Sequence, residues 1–216
     1  MTWFARIYLW ATYRLYYELA WAYDLVSWLV SFGRWAGWRR RALVYLTGQR
    51  VLEVGFGTGE LLAEIAGRGL NVVGLELSSP MHRLTARKLA RWGLTAPRVR
   101  GVVQAAPFAD GQFDSIVSTF PAGYILETAF LGEIARLLRV PDPASDVAGG
   151  RLIVVGMILR SESSLWTWAM GFLFGSKEDA ALDRFSQLAE CAGLRVTVID
   201  PGGRGLRVPV VLAERG

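Results

Sequence analysis

The chain of 216 residues contains one cysteine, Cys191, and one histidine, His82. A single cysteine cannot build an internal disulfide framework and suits a reducing compartment, so a cytoplasmic location is expected. With no cluster of Cys and His, no zinc site is expected and no metal is assigned. No internal repeat or low-complexity tract is present, and the length suits one domain with a substantial core.

What is present is unevenly placed. The chain is 52% hydrophobic with a mean hydropathy of +0.29 and a net charge of +5. Residues 1–41 hold six arginines (Arg6, Arg14, Arg34, Arg39, Arg40, Arg41) against Glu18 and Asp24, so nearly all of the net charge sits there. They also hold Trp3, Trp10, Trp21, Trp28, Trp35 and Trp38, with Tyr8, Tyr13, Tyr16, Tyr17 and Tyr23. A signal peptide needs a compact aliphatic stretch and a small-residue cleavage site. A spanning helix needs about 20 largely apolar residues. Here Arg6, Arg14, Glu18 and Asp24 break the run, and its apolar residues are mostly aromatic.

At about 100° per residue, Trp3, Trp10, Trp21 and Trp28 fall near one line of a helix. Tryptophan and tyrosine favour the headgroup level of a bilayer, and Arg39-Arg40-Arg41 could meet anionic headgroups. Residues 1–41 are therefore read as an aromatic, basic helical segment that either contacts an anionic membrane surface or lies as a lid over a site. Peripheral attachment to the inner face of the membrane is the expectation on the first reading. The arginines are too few, and the segment too apolar, for a nucleic-acid groove. Residues 42–216 form the second region.

The most specific pattern is Val51-Leu-Glu-Val-Gly-Phe-Gly-Thr-Gly59. Val51, Leu52 and Val54 suit a strand buried on both faces. Gly55, Gly57 and Gly59 allow a tight turn and a close approach of backbone to ligand. The run from Glu60 to Ala66 reads as a helix, with Leu61, Leu62 and Ile65 at helical spacing. Strand, glycine turn and helix N-terminus make a nucleotide-type site. A dinucleotide fingerprint wants glycine where Glu60 stands, and a phosphate-cradling loop wants Gly-Lys-Ser/Thr, which is missing. An acid at that helix end also repels a pyrophosphate.

Asn71 to Glu76 reads as the second strand. Glu76 lies 19 residues after Gly57, about where a carboxylate grips both hydroxyls of a ribose. Ser79 and Pro80 then read as N-cap and first helical residue, with Gly93 as the stop. A third strand is expected around Val99 to Val103, a fourth over Ser115 to Pro121, a helix over Tyr124 to Arg139 and a fifth strand over Arg151 to Leu159. Pro141 to Gly150 reads as a loop. Ser164 to Gly175 is a second aromatic stretch, and Glu178 to Ala192 reads as a helix. Leu194 to Asp200 and Leu206 to Ala213 are the last strands, joined by Pro201 to Gly205.

The E-x-G-x-G-x-G turn, Glu76 and the Pro107-Phe108 to Phe113-Asp114 segment, in register, resemble class I S-adenosylmethionine-dependent methyltransferases. Within that family the chain looks like the small-molecule branch of quinone C-methyltransferases and bacterial phospholipid N-methyltransferases. Tyr23-Asp24-Leu25-Val26 looks like their lead-in helix, which closes over the cofactor. The resemblance implies an α/β, Rossmann-like sheet with helices on both faces, an antiparallel strand near the C-terminus and aromatic N-terminal helices. It implies S-adenosyl-L-methionine as cofactor, held by Tyr23, Glu53, Gly55, Phe56, Gly57, Thr58, Gly59, Glu76, Leu77, Met81, Val103, Gln104, Ala105 and Ser118. Glu53 would serve the amino end.

One departure is Val102, where the family often has an adenine-binding Asp. Adenine would then rest on backbone near Val103 to Ala105, on Gln104 and on apolar packing. The implied acceptor is small and lipophilic, a quinone or a phospholipid headgroup. The Ser164 to Gly175 stretch would wall it or merely pack. His82 faces away from the expected methyl position; Tyr23, Tyr124 and Glu127 are placed better, and no catalytic residue is assigned. A non-catalytic membrane-bound relative and a nicotinamide oxidoreductase remain as alternatives.

Overall fold

Val51, Leu52 and Val54 fill both faces of β1 (Arg50–Val54), which lies inside a seven-stranded sheet. A computed structural model describes residues 14, 23–144, 148–158, 178–202 and 207–216. The other strands are β2 (Asn71–Glu76), β3 (Arg98–Arg100), β4 (Ser115–Thr119), β5 (Arg151–Val155), β6 (Leu194–Ile199) and β7 (Val210–Arg215). Their spatial order is β3-β2-β1-β4-β5-β7-β6. The first five run parallel, and β7 is antiparallel to both β5 and β6. The order reverses between β1 and β4, which opens a crevice at their carboxyl ends where ligands bind in such sheets.

Among the described residues the α-helices are α1 (Tyr23–Val30), α2 (Trp35–Arg40), α3 (Glu60–Gly67), α4 (Ser79–Trp92), α5 (Thr128–Leu137) and α6 (Glu178–Cys191). Alternate strand residues point to opposite faces, and the core divides accordingly. Leu52, Val54, Ile116, Leu152 and Val154 pack with Phe130 and Ile134 of α5 and Phe185 of α6. Val51, Val117, Ile153 and Val155 pack with Trp38 of α2 and with Leu61, Leu62 and Ile65 of α3. The sheet is thus covered on both sides, as the resemblance implied. Trp38, Ala42 and Leu43 belong to this second core, so the chain around residue 41 is continuous with the sheet packing.

Several element ends differ from the sequence reading. The N-cap of α4 is Ser78, whose Oγ accepts from Met81 N at 3.5 Å, and Ser79 is already helical. The third strand is only Arg98–Arg100, because the chain turns into a short 3-10 helix at Val103–Ala105. The helix expected from Tyr124 begins as a 3-10 turn, Gly123–Leu126, and the α-helix starts at Thr128. The fifth strand stops at Val155, because Gly156 turns the chain at φ +82°. The last strand starts at Val210 rather than at Leu206. Trp3, Trp10, Trp21, the tyrosines before Tyr23, the Ser164 to Gly175 stretch and part of the Pro201 to Gly205 turn lie outside the described residues.

Asp114, from the Phe-Asp pair, ties together the ends of strands opposite the crevice. Its Oδ2 accepts from the backbone N–H groups of Gln49 and Arg50, both at 2.9 Å. Its Oδ1 accepts from Arg50 Nη2 and Arg139 Nη1, both at 2.8 Å. Burial pushes this carboxyl up, but the Arg50 side chain and the two backbone donors outweigh it and hold it below its ordinary value.

Candidate active site

The glycine turn sits at the carboxyl end of β1. Gly55, Gly57 and Gly59 have φ of +71°, +51° and +77°, backbone that side-chain-bearing residues rarely adopt. A Cβ on Gly59 would lie 2.2 Å from the Thr85 methyl group, and one on Gly55 would lie 3.2 Å from the Tyr124 hydroxyl. The turn is therefore held by packing as well as by torsion. Thr85 adds a hydrogen bond from its hydroxyl to Gly57 O at 3.1 Å.

Two carboxylates flank the turn. Glu76, at the end of β2, accepts from Gly57 N at 3.2 Å through Oε2 and from Ser78 N at 2.8 Å through Oε1. These bonds orient the carboxylate, a group whose oxygens can each accept more than one hydrogen bond. Glu53 is 1% exposed, and its Oε2 makes no hydrogen bond. Burial pushes its carboxyl up to about 8; Arg39 opposes this, and Glu76 and Glu64 add to it. A buried acid with an orphaned oxygen is costly unless a donor arrives. The ammonium of an amino acid is such a donor, so the residues present fit the amino end of the implied cofactor.

The other residues named from the sequence fall as follows. Thr58 donates to Asp24 Oδ1 at 2.7 Å, joining the turn to α1. Tyr23 opens α1; burial pushes its phenol up, and Ser27, Asp24, Arg39 and Glu76 all act on it, which places it among the site charges. Phe56 is buried beneath β2, where a Cβ on Gly74 would meet its ring at 2.5 Å. Only its backbone can face a ligand. Leu77 is exposed and Met81 is fully buried. Val103, Gln104 and Ala105 form the 3-10 turn, with Val103 buried and Gln104 Nε2 donating to Glu127 Oε2 at 2.8 Å. Val102, where the resemblance expects an adenine-binding Asp, is exposed. Ser118 donates to Val54 O at 3.3 Å and shares a hydrogen bond with the Tyr124 hydroxyl at 3.3 Å.

His82 Nε2 bonds to Glu76 O at 2.9 Å, and its ring meets Phe56 edge-on, so it serves packing around β2. Each member of the arginine run makes a contact within the fold, and Arg40 stays exposed. Arg39 faces Glu60, Arg40 Nε donates to both oxygens of Glu64 at 2.9 Å, and Arg41 Nη1 donates to Val208 O at 2.8 Å. Three partners were not visible from the sequence. Lys88 joins Asp24 to Glu60, at 2.5 Å to each. Phe120, at the exit of β4, adopts φ +49° and stacks on Trp35 at 3.7 Å. Gly156 makes room for that ring, since a Cβ there would lie 2.3 Å from it. Among the described residues no group of His, Cys, Asp and Glu could hold a metal ion.

Residues 51–140 match a family described as a methyltransferase domain. Over these residues the chain is similar to that methyltransferase family. It is 34% identical over 146 residues to the demethylmenaquinone methyltransferase of Thermus thermophilus, covering 65% of this chain and 63% of that protein. It is 34% identical over 143 residues to the ubiquinone/menaquinone biosynthesis C-methyltransferase of Geotalea uraniireducens, covering 62% of this chain and 57% of that one. The chain thus spans about three fifths of the length of these curated relatives. Among solved structures, the geranyl diphosphate C-methyltransferase of Streptomyces coelicolor superposes with a TM-score of 0.62 at 13% identity, over 84% of this chain and 79% of that one. That likeness shows the shared fold. In this chain the glycine turn and the reversal of strand order lie at the same place, the carboxyl ends of β1 and β4.

Proposed function

We propose that this chain transfers the methyl group of S-adenosylmethionine to a small, lipophilic, quinone-type acceptor presented at a membrane surface. The observation that carries the cofactor reading is Glu53, a buried acid with an orphaned oxygen beside a glycine turn that Glu76 braces. The quinone reading rests on the curated relatives, which are named as quinone methyltransferases.

Bound, the cofactor supplies an activated methyl group on a neutral leaving group, so the protein's task is mainly alignment. Glu53 would hold the ammonium, Glu76 the ribose hydroxyls, and Leu77, Met81 and residues 103–105 the adenine. The glycine turn, Ser118 and Tyr23 would border its reacting end. Tyr124, pushed up to about 12 chiefly by burial, keeps its proton and acts as a donor. The Trp35–Phe120 stack offers a flat apolar wall for a ring at the exit of β4.

Mass analysis of quinone and phospholipid extracts incubated with the chain and deuterated-methyl cofactor tests the reaction. Label on a quinone supports it; label on phospholipid moves the acceptor class, and no label in either leaves a binding protein. Membrane contact is supported by Leu25, Trp28, Leu29 and Phe32, which are 57%, 58%, 55% and 72% exposed around α1. Such a patch favours an interface. No helix among the described residues is long and apolar enough to cross a membrane. The chain should float with anionic phosphatidylglycerol liposomes, and deleting residues 1–32 should abolish this. Equal flotation of the truncated chain would end the membrane reading.

A further inference from the structure

Residues 77–109 hold six basic side chains and no acidic one, in a chain of net charge +5. Three of the six, Arg83, Arg87 and Arg91, stand four residues apart on α4. The buried residues of that helix, Met81, Thr85 and Leu89, have the same spacing. Each arginine follows one of them by two positions, which is about 200° around a helix, so the three form a stripe on its outer face. All three are exposed, and among the described residues none makes an ion pair or a side-chain hydrogen bond. Trp92 follows at the helix end and is 46% exposed. This stripe adjoins α1, because Lys88 of α4 reaches Asp24 of α1 at 2.5 Å. The exposed Leu25, Trp28, Leu29 and Phe32 therefore border it. Positive charge without a counter-ion thus lies beside apolar and aromatic side chains. Anionic headgroups over an acyl layer satisfy both, whereas a nucleic acid would leave the apolar residues in water.

We propose that the outer face of α4, through Arg83, Arg87 and Arg91, binds the anionic headgroups of a phospholipid bilayer while α1 lays its apolar residues into the same surface. This rests on the membrane contact proposed above and names its electrostatic half. Interfacial binding scales with buried apolar area plus attraction to anionic lipid. Here the two contributions come from different helices, and the Asp24–Lys88 ion pair holds those helices together. Arg39 and Arg40 already face Glu60 and Glu64, so α4 supplies the unneutralised charge.

Co-sedimentation of the full chain with two kinds of vesicle tests it, one of phosphatidylcholine alone and one of phosphatidylcholine mixed with phosphatidylglycerol. The wild type should prefer the mixed vesicles and lose that preference as salt approaches about 1 M, where charges are screened beyond about 3 Å. The triple variant R83Q/R87Q/R91Q should bind the mixed vesicles about 100-fold more weakly, at about five-fold for each charge removed. Its thermal melt should be unchanged. R83K/R87K/R91K should bind as the wild type does, because headgroup attraction needs the charge and not the planar fork of a guanidinium. A glutamine variant that binds as well as the wild type overturns the role of α4 and leaves α1 as the contact. Wild-type binding that ignores salt, or is equal on the two vesicles, overturns it without recourse to any variant. A wild type that binds neither vesicle sinks the membrane reading as a whole. Salt-sensitive binding of duplex RNA in place of vesicles, lost in the glutamine variant, would make the stripe a nucleic-acid site and overturn the proposal.

Discussion

Glu53 shows how a single residue can trade stability for binding. In the unfolded chain it is an ordinary carboxyl of about 4.5, and in the fold burial lifts it to about 8. The folded state thus holds a proton that the unfolded state has released, so stability falls as pH rises from about 4.5 to about 8. Glu53→Gln should remove that slope. Thermal melts should show the variant gaining on the wild type steadily across this interval, while S-adenosylhomocysteine affinity drops about 10-fold or more. Equal pH slopes for the two proteins would count against a buried, protonated Glu53. Binding an ammonium beside this group should also expel its proton near pH 7. Calorimetry in two buffers of different ionisation heat would reveal this.

At the scale of elements, the link between α1 and the glycine turn is electrostatic. Asp24 accepts from Thr58 at 2.7 Å and from Lys88 at 2.5 Å, and Lys88 reaches on to Glu60 at the start of α3. One face of α1 is thereby anchored, while Leu25, Trp28 and Leu29 stay exposed. A helix of eight residues has little stability of its own, so it depends on such tertiary contacts. Asp24→Asn should loosen it over the site. Stopped-flow dissociation of S-adenosylhomocysteine should speed up several-fold, with faster amide exchange confined to residues 23–30. No change in either rate would mean that α1 is held by its apolar contacts alone.

For the whole molecule, Asp114 has the widest reach. It joins the start of β1 to the end of β4's lead-in and to Arg139 beyond α5. The side chain is 5% exposed, but Arg50 is 46% exposed, so solvent screens part of the attraction. Asp114→Asn should cost about 2–3 kcal/mol in urea unfolding, a value set by hydrogen bonds to a charged group. Because the folded carboxyl lies below its ordinary 3.8, this stabilisation is present above that pH and is lost as pH falls through the folded value. A variant as stable as the wild type at neutral pH would show that the backbone ladder alone carries this junction.

The sequence by itself determined what is local. Apolar Val51, Leu52 and Val54 running into Gly55, Gly57 and Gly59 dictate strand, turn and helix over consecutive residues, and Glu76 follows at the length of one β/α unit. Backbone torsion and side-chain alternation are short-range properties, which is why β1, α3 and β2 were legible. Only the tertiary structure decided which distant residues meet. It brought Arg39 to Glu60 and Arg41 to the Val208 carbonyl, and paired Arg40 with Glu64 at the surface. It set Phe120 on Trp35 over Gly156, and left Glu53 and Arg39 buried with unfilled bonds. Contacts of this kind depend on how the layers pack around the sheet, and spacing along the chain carries no record of them.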